Sequence, residues 1–442
     1  MVLHDFLTES AQKFPDKSAI IFKEHRISYQ ELDQKANRLA HALIDLGVEK
    51  GDRVALFLDN SPESVIALFG VLRAGAVFVM LSAALKTDKL GYILNHSGAR
   101  VLISHHNKRS IFGGLRQPCL MKIIVGEDAD VHQESGQKES WAQIMAAPFD
   151  HCPQKRRTID IDLAALIYTS GSTGEPKGVT LTHLNMVSAA TSITSYLKNS
   201  SSDIIMNVLP LSFDYGLYQV LMAVKFGGTV VLEKSFLYPY AVIEKMIREK
   251  VTGFPLVPTI AAMILQMESL KDYNLSSLRY ITNTGAVLPE SHIRKLRSIF
   301  PRAAIYSMYG LTECKRVSYL PPEELDKKPN SVGKPMPNVE VFIVDEKGDK
   351  VGPGVVGELV IRGSNIMKGY WNDPQETDRV LKAGPYPGER VLYSGDLFRM
   401  DEAGYLFFVG RKDDLIKTRG ERVSPREVEN ALCQMEGVSE AV

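Results

Sequence analysis

Residues 168–178 read Tyr-Thr-Ser-Gly-Ser-Thr-Gly-Glu-Pro-Lys-Gly and directly follow an apolar run at 163–168. Three glycines let backbone N–H groups approach an anion closely, hydroxyl side chains lie beside them, and Lys177 adds a mobile positive charge. A nucleotide-binding P-loop ends in Gly-Lys-Ser/Thr, whereas this stretch ends in Pro-Lys-Gly, so that pattern is not met. A flexible linker is the alternative, but Pro176 and Lys177 depart from a Gly/Ser linker composition. We therefore expect a strand followed by a phosphate-binding loop that takes ATP.

The composition is that of an ordinary globular protein, with 442 residues of which 45% are hydrophobic and 24% charged. Lys plus Arg and Asp plus Glu both total 52, so no net field favours nucleic acid or a membrane surface. Cysteines occur at 119, 152, 314 and 433 without Cys-x-x-Cys spacing, which argues against a zinc site or a disulfide framework. We expect buried structural thiols, a reducing compartment and no nucleic-acid partner.

Neither the N-terminal segment nor the longest apolar stretch has the pattern of a targeting signal or a membrane-spanning helix. The first fifteen residues contain His4, Asp5 and Glu9 and lack the basic and apolar regions of a signal peptide. The longest apolar stretch, 65–81, is interrupted by Arg73 and is too short for a bilayer. We expect a cytoplasmic protein without a membrane span.

Strand and helix patterns alternate along the first three quarters of the chain. Ser28 and Glu31 have the spacing of a capping box before a helix that Gly47 ends. Short apolar strands and helical segments then follow one another, which predicts parallel sheets covered on both faces. The predicted strands are 54–58, 77–81, 101–103, 204–208, 229–232 and 277–282, and a proline opens a helix at 62–74. From about 335 short β runs at 339–344, 358–362 and 405–409 predict a smaller β-rich subdomain.

Further motifs follow the loop in a fixed order, and together with it they resemble the adenylate-forming superfamily. That superfamily comprises acyl-CoA synthetases, amino-acid adenylation domains of nonribosomal peptide synthetases and beetle luciferases. The motifs are 283–286 (Asn-Thr-Gly-Ala), 309–313 (Tyr-Gly-Leu-Thr-Glu), 393–396 (Tyr-Ser-Gly-Asp), 410–414 (Gly-Arg-Lys-Asp-Asp) and 417–422 (Lys-Thr-Arg-Gly-Glu-Arg).

The resemblance implies an α/β fold whose large N-terminal domain, 1–410, has two αβαβα-type parallel-sheet subdomains and a small β-barrel-like subdomain. Residues 411–442 would be a hinge at Asp413 and the start of a truncated α+β C-terminal domain, with 417–422 forming part of a pantetheine tunnel. The chain stops about thirty residues past the hinge, and the late lysine of the family's C-terminal domain is absent. We expect ATP binding but slow adenylate formation.

The resemblance also implies the residues that hold ATP and Mg²⁺. Tyr309 would stack on adenine beside Gly285 and Ala286, Asp396 would accept both ribose hydroxyls, and Arg411 would lie near the ribose. Thr312 would contact the α-phosphate, and Glu313 would hold Mg²⁺. This ion prefers oxygen ligands, usually keeps several of its waters and bridges to substrate phosphates. The remaining nucleotide contacts would come from Thr169, Ser170, Gly171, Ser172, Thr173, Gly174, Lys177 and Gly310.

The implied reaction is attack of a carboxylate oxygen on the α-phosphorus of ATP, which releases pyrophosphate and leaves an acyl-adenylate. Lys177, Thr312 and Glu313 would be the catalytic residues, because developing charge needs positioned cations and donors. A thiol then attacks the acyl group. It would come from CoA or from the phosphopantetheine of an acyl or peptidyl carrier protein.

The small carboxylic acid that serves as substrate stays open at this point. The resemblance places it among Phe213, Asp214, Tyr218, Thr284 and Met308. Asp214 aligns with the aspartate that amino-acid-activating members use to bind an α-ammonium, and it is equally well explained as a helix N-cap before Tyr215. Lys315 and Arg316 fit either an acidic substrate tail or a solvated face. Two alternatives therefore accompany the acyl-CoA synthetase reading: an amino-acid adenylation enzyme that loads a peptidyl carrier protein, and a nucleotide-binding homologue without catalysis.

Overall fold

The computed structural model describes residues 1–442 except for 114, 116–119, 126–137, 154–157, 170–174, 268–269, 271–272, 287, 413–415, 419–420, 424–431, 433–437 and 439–442. Along 121–125, 138–139, 416–418 and 421–423 it describes the backbone alone. The chain divides into two compact units. The first unit contains Met1–Ser235 and Met367–Pro374, and the second contains Phe236–Ile366 and Gln375–Val442.

Helices of the described residues are numbered in chain order. They are α1 (Asp5–Lys13), α2 (Tyr29–Asp45), α3 (Pro62–Arg73), α4 (Thr87–Ser97), α5 (Arg109–Phe112), α6 (Trp141–Ala146), α7 (His183–Tyr196), α8 (Asp214–Phe226), α9 (Pro239–Arg248), α10 (Pro258–Leu265), α11 (Glu290–Ile299) and α12 (Pro374–Val380).

Strands are numbered in the same way. They are β1 (Ser18–Phe22), β2 (His25–Ser28), β3 (Arg53–Phe57), β4 (Val77–Met80), β5 (Ala99–His105), β6 (Met121–Val125), β7 (Lys138–Ser140), β8 (Leu163–Thr169), β9 (Lys177–Thr182), β10 (Ile204–Asn207), β11 (Thr229–Leu232), β12 (Gly253–Leu256), β13 (Tyr280–Asn283), β14 (Ala304–Tyr309), β15 (Ser318–Leu320), β16 (Lys334–Pro335), β17 (Val339–Val344), β18 (Gly357–Gly363), β19 (Gly369–Tyr370), β20 (Leu381–Ala383), β21 (Arg390–Met400), β22 (Leu406–Arg411), β23 (Ile416–Thr418) and β24 (Glu421–Val423).

The first unit contains a sheet with the strand order β19-β9-β8-β4-β3-β5-β6-β7. Its pairs from β8 to β7 are parallel, whereas β8–β9 and β9–β19 are antiparallel. All four residues of β4 are buried, and α3 is buried along almost its whole length. This is the pattern expected of a parallel sheet that is covered by helices on both faces. A second group of strands in this unit is ordered β10-β11-β1-β2, with β1–β2 as an antiparallel edge.

The second unit has a parallel group β12-β13-β14, extended by β15 and β16 as antiparallel strands. A separate antiparallel sheet has the order β17-β18-β21-β20, and β22 pairs with β21. This antiparallel sheet is the predicted β-rich region. Strands β23 and β24 form an antiparallel hairpin.

The predicted α/β fold class is confirmed, and most predicted strands agree with the structure within one or two residues. The Ser28 side chain accepts a hydrogen bond from the backbone N–H of Glu31 at 3.1 Å, as expected for a helix cap. The division at residue 410 stays a prediction. Among the described residues, no helix is both long and apolar enough to cross a membrane. The expectation of buried thiols holds for Cys314 but is wrong for Cys152, whose position near a polar connecting segment leaves it exposed.

Candidate active site

The glycine-rich loop of residues 168–178 joins two antiparallel strands of the first unit. Thr169 pairs with Lys177 and Tyr168 pairs with Gly178, so the loop is closed at its base by strand pairing. The Tyr168 hydroxyl and His96 Nδ1 are 2.8 Å apart, and burial raises the pKa of Tyr168 above its usual value. The predicted phosphate contacts Ser170, Gly171, Ser172, Thr173 and Gly174 lie outside the described residues.

The lysine at the end of this loop is half-buried and lies beside an aromatic ring. Lys177 Nζ is 5.7 Å from the centre of the Tyr370 ring. The next residue, Gly178, accepts a hydrogen bond at its carbonyl oxygen from Trp371 N at 2.7 Å. A Cβ at Gly178 would lie 3.1 Å from Tyr168 Cζ and 3.3 Å from Trp371 Cβ, so a glycine lets the Tyr168 ring and the base of the Trp371 side chain pack on the backbone.

The second unit carries the Tyr309–Glu313 motif on the turn between β14 and β15. Thr312 and Glu313 are half-buried, and the residues that follow turn inward. Lys315 has a left-handed backbone with a φ of 64°. A Cβ at Gly310 would come within 2.2 Å of the Lys315 carbonyl oxygen, so the turn requires glycine there. Asn365 fixes this turn from inside.

Asn365 is 1% exposed, and its Nδ2 donates to two carbonyl oxygens of the turn, those of Cys314 at 2.7 Å and Arg316 at 2.9 Å. Each donor of a buried amide that finds a carbonyl avoids a desolvation cost. The two bonds therefore hold the backbone that directly follows Thr312 and Glu313.

A tyrosine and an aspartate of separate motifs meet in the second unit. The Tyr309 hydroxyl donates to Asp396 Oδ2 at 2.5 Å. Burial of the hydroxyl, together with the facing Asp396 carboxylate, raises the pKa of Tyr309 well above its usual value. The Tyr309 ring packs edge-on against Phe398 at 4.8 Å and lies 6.3 Å from Phe408. Tyr309 is therefore a neutral donor whose ring is held by two aromatic neighbours.

Asp396 lies on β21. Its Oδ1 is 3.8 Å from Arg411 Nε, and the Arg411 side chain is 73% exposed. Glu358 supports the same corner, because its Oε1 accepts from Gly395 N at 3.1 Å and its Oε2 pairs with Lys412 at 3.0 Å. The predicted hinge residue, Asp413, lies outside the described residues.

The segment 283–286, predicted to line adenine, follows the end of β13. Asn283 is fully buried, and its Nδ2 donates to the Ala286 carbonyl oxygen at 2.8 Å. Gly285 has a φ of 91° and is exposed, as is Ala286. An exposed backbone without a bulky side chain is a surface on which a flat base can lie.

The predicted acid-binding residues fall into both units. In the first unit Phe213 is 37% exposed, Asp214 is half-buried and Tyr218 is buried. The helix α8 begins at Asp214 with Phe213 as its cap residue, so the N-cap reading of Asp214 is wrong: Asp214 already lies in the first turn. In the second unit Thr284 and Met308 are both buried.

Two buried asparagines hold the backbone that leads into α8. Asn60 Nδ2 donates to the carbonyl oxygens of Leu209 and Glu233, each at 2.9 Å, and Asn60 Oδ1 accepts from Leu211 N at 2.9 Å. Asn207 Nδ2 donates to the Gly216 carbonyl oxygen at 3.2 Å. The segment that presents Phe213 and Asp214 therefore rests on satisfied buried amides.

Lys315 and Arg316 were compatible with a solvated face in the sequence, and the structure shows that reading to be wrong. Lys315 is 4% exposed and Arg316 is 1% exposed. The inward path of the turn after Glu313, with Gly310 packed on the Lys315 carbonyl, takes both side chains away from solvent. The charge of the two side chains did not predict their burial.

The residues present fit a magnesium nucleotide. Among the described residues there is no cluster of three or more His, Cys, Asp or Glu side chains that could hold a metal. A single half-buried carboxylate such as Glu313 suits Mg²⁺, which takes one or two protein carboxylates and completes its shell with phosphates and water. The Asp396 carboxylate offers acceptor oxygens of the kind that sugar hydroxyls need.

Parallel sheets, a glycine-rich loop ending in lysine, and a tyrosine hydrogen-bonded to an aspartate are together typical of a nucleotide-binding α/β enzyme. The family described as AMP-binding enzyme matches residues 7–371. The chain belongs to the AMP-binding enzyme family, and the predicted adenylate-forming class is thereby confirmed at the level of the family.

Two relatives and one solved structure illustrate the similarity. The chain is 30% identical over 473 residues to the long-chain-fatty-acid–CoA ligase of Bacillus subtilis (strain 168), covering 100% of this chain and 82% of that protein. It is 32% identical over 447 residues to tyrocidine synthase 3 of Brevibacillus parabrevis, and here it spans only 7% of the relative's length. The crystal structure of the anthranilate CoA ligase AuaEII in complex with anthranoyl-AMP superimposes with a TM-score of 0.90 at 27% identity, covering 100% of this chain and 83% of that chain.

Several supporting residues were not found from the sequence. Asn365, Tyr370 and Trp371 all lie in 363–371, a stretch read only as part of the β-rich region. The available signal was the Gly-Tyr-Trp run at 369–371, since aromatic residues beside a glycine often pack on a neighbouring backbone.

Proposed function

We propose that this chain activates a carboxylic acid with ATP, forming an acyl-adenylate and pyrophosphate, and then transfers the acyl group to a thiol. The observation that carries the proposal is the Tyr309–Asp396 hydrogen bond in the same unit as the Thr312–Glu313 turn. It links the residues assigned to the nucleoside with those assigned to the α-phosphate and the metal. Because the chain belongs to the AMP-binding enzyme family, we take the nucleotide bound by these residues to be an adenine nucleotide.

The roles assigned to the residues follow from their chemistry. Asp396 accepts the ribose hydroxyls, and Tyr309 presents its ring to adenine while its hydroxyl holds Asp396 in place. Lys177 and the loop before it take the phosphates, and Thr312 contacts the α-phosphate. Mg²⁺ bound through Glu313 would neutralise charge on the phosphate oxygens.

The chemical step forms one bond and breaks one. A carboxylate oxygen of the acid bonds to the α-phosphorus, the bond from the α-phosphorus to the bridging oxygen breaks, and pyrophosphate leaves with that electron pair. The thiol then attacks the acyl carbon, AMP leaves, and the thiol proton goes to solvent or base. Lys177 and Thr312 would stabilise charge that grows on phosphate oxygens.

The acceptor and the acid are the finer parts of the proposal. We assign CoA or carrier-protein phosphopantetheine as the thiol, because one relative is named a CoA ligase and another a tyrocidine synthase. A free thiol acceptor and cysteines without pairing spacing suit the cytoplasm.

An amino acid is the second candidate substrate, and Asp214 is the observation that favours it. Asp214 is half-buried in the first turn of α8, where a carboxylate is available for an ammonium group. If the acid is an amino acid, Asp214→Ala should lower activity with it and leave an acid without an ammonium group unaffected. Full activity of that variant on the preferred acid would remove the ammonium assignment.

Acid-dependent exchange of pyrophosphate into ATP, measured over a panel of fatty, aryl and amino acids, tests the proposed function. We expect exchange with at least one class. Glu313→Gln should lower the exchange rate about a hundredfold, which is the usual loss when one charge-stabilising group is removed. Glu402→Gln, at an exposed acid of the second unit, serves as the control and should keep the full rate. ATP binding without exchange for any acid would favour a non-catalytic nucleotide-binding protein.

A further inference from the structure

A short segment of the first unit, Met367–Pro374, lies along the strand that the glycine-rich loop enters. Its two-residue strand β19 pairs with β9, matching Gly369 with Thr180 and Tyr370 with Val179. Lys368 N donates to the Thr180 carbonyl oxygen at 2.9 Å, and the Thr180 hydroxyl donates to the Gly369 carbonyl oxygen. These bonds fix the backbone on the N-terminal side of Tyr370.

Trp371 extends the hydrogen bonding between this segment and β9 as far as Gly178, the last residue of the loop. Its backbone N–H donates to the Gly178 carbonyl oxygen at 2.7 Å, and its indole Nε1 donates to the His96 carbonyl oxygen at 3.1 Å. The Arg53 guanidinium lies 5.3 Å from the indole ring. Because Trp371 is held at three points, its neighbour Tyr370 has a fixed position relative to β9.

The ring of Tyr370 faces the start of β9, with Lys177 Nζ 5.7 Å from its centre. A cation within about 6 Å of an aromatic ring is attracted by the ring's quadrupole. The ring carries no net charge, so this contact holds the ammonium without cancelling the charge that a phosphate needs. A carboxylate in the same place would compete with phosphate for the lysine.

We propose that Tyr370 is a positioning residue that holds the Lys177 ammonium at the base of the loop for the phosphates of ATP. The proposal rests on the phosphate role given to Lys177 under the proposed function. Tyr370 acts through Lys177, and the strand pairing of β19 with β9 makes the contact rigid.

The test is a double-substitution cycle read out as the Kd of MgATP by calorimetry, which needs no acid. We expect Tyr370→Leu to weaken ATP binding about two- to fivefold, the range of one partly exposed cation–π contact. Lys177→Ala should weaken it more, and Tyr370→Leu should add nothing in the Lys177→Ala background. An equal fold loss in both backgrounds would overturn the proposal.

Further variants separate the ring from the fold. Tyr370→Phe and Tyr370→Trp keep an aromatic ring, so both variants should bind ATP about as tightly as the unchanged chain. They test the contact even if Tyr370→Leu is unstable. Weak binding by either folded ring variant would contradict a ring–ammonium contact. Tyr386→Leu removes another tyrosine that lies 4.8 Å from a cationic group, Arg362, and should leave the ATP Kd unchanged.

Failure of this proposal and failure of the proposed function give different results. If no acid supports pyrophosphate exchange but the cycle is non-additive, the acid-activating function is wrong and the Tyr370 assignment holds. If exchange occurs and Lys177→Ala binds ATP like the unchanged chain, the function holds and the positioning role of Tyr370 is wrong.

Discussion

Two antiparallel hairpins carry the candidate phosphate-handling residues, and they are built differently. The β8–β9 hairpin of the first unit closes the glycine-rich loop by strand pairing, and Glu175 near its end is exposed. The β14–β15 hairpin of the second unit pairs Tyr309 with Ser318, and the residues 314–318 between and at its strands are buried. Its turn is filled from inside by Asn365.

The difference shows where each hairpin gets its rigidity. The first hairpin is anchored at its base, where Tyr168 contacts His96 and Gly178 contacts Trp371. The second hairpin is anchored at its turn, by an asparagine 51 residues away from Cys314. We infer that Thr312 and Glu313 are set in advance by their scaffold, whereas the described part of the first hairpin is held at its paired base.

Replacement of the Asn365 amide, which fills the turn of the second hairpin, should have the largest effect on stability. Asn365→Asp places a carboxylate opposite two carbonyl oxygens at a site that is 1% exposed. We expect the free energy of unfolding to fall by about 4 kcal/mol, because two donors are lost and a charge is buried. Denaturant unfolding measures it. The exposed Asn274, whose Oδ1 accepts from Ser276 N, provides Asn274→Asp as the control.

The glycines of the two hairpins give the next largest effect. Gly310→Ala brings a Cβ within 2.2 Å of a backbone oxygen, which cannot rotate away, and should cost about 3 kcal/mol of unfolding free energy. Gly178→Ala meets its nearest atoms at 3.1 Å and 3.3 Å, so small shifts suffice and the cost should be about 1 kcal/mol. Thermal and denaturant unfolding of both variants compare them. Equal losses would show that the two hairpins are packed alike.

Acidification should destabilise the first unit through His183, which follows the end of β9. Its Nδ1 accepts from Leu3 N at 3.1 Å. Burial, with a smaller contribution from His4, lowers the pKa of His183 to about 3 against the attraction of Asp162 and Asp5. His183 therefore takes up a proton near pH 6.5 in the unfolded chain but only near pH 3 in the folded chain. The stability that the neutral His183 contributes is fully present above pH 6.5 and is lost as the pH falls toward 3.

The contribution of His183 to the slope is about 1.4 kcal/mol per pH unit between pH 3 and 6.5, since one proton is taken up on unfolding. His183→Gln removes the titrating group and should flatten the dependence of unfolding free energy on pH. His25→Gln, at an exposed histidine, is the matched control and should leave the slope as it is. A slope that His183→Gln does not change would assign the acid sensitivity to other groups.

The sequence predicted much of the fold because hydrophobic periodicity and turn residues act locally. Strands such as Thr229–Leu232 and Val339–Val344 have the bounds that their apolar runs gave. The motif residues Tyr309, Asp396 and Arg411 were predicted from the resemblance, and the structure brings them together. Their roles stay predictions.

What could not be predicted depends on contacts between distant residues. Asn365 and Tyr370 look like ordinary turn and strand residues until the chain is folded, because their partners are far away in sequence. The burial of Lys315 and Arg316 was missed for a related reason. A charge predicts exposure on average, and only the packed path of one turn decides otherwise.

The central claim is that a carboxylate oxygen attacks the α-phosphorus of ATP, and an isotope experiment tests it most directly. The acid that supports pyrophosphate exchange is labelled with ¹⁸O in its carboxylate and turned over with ATP and hydroxylamine, which replaces the thiol. We predict one ¹⁸O atom in each AMP released, because the attacking oxygen stays on phosphorus when the acyl carbon is captured. AMP without label, or label in inorganic phosphate, would contradict the claim.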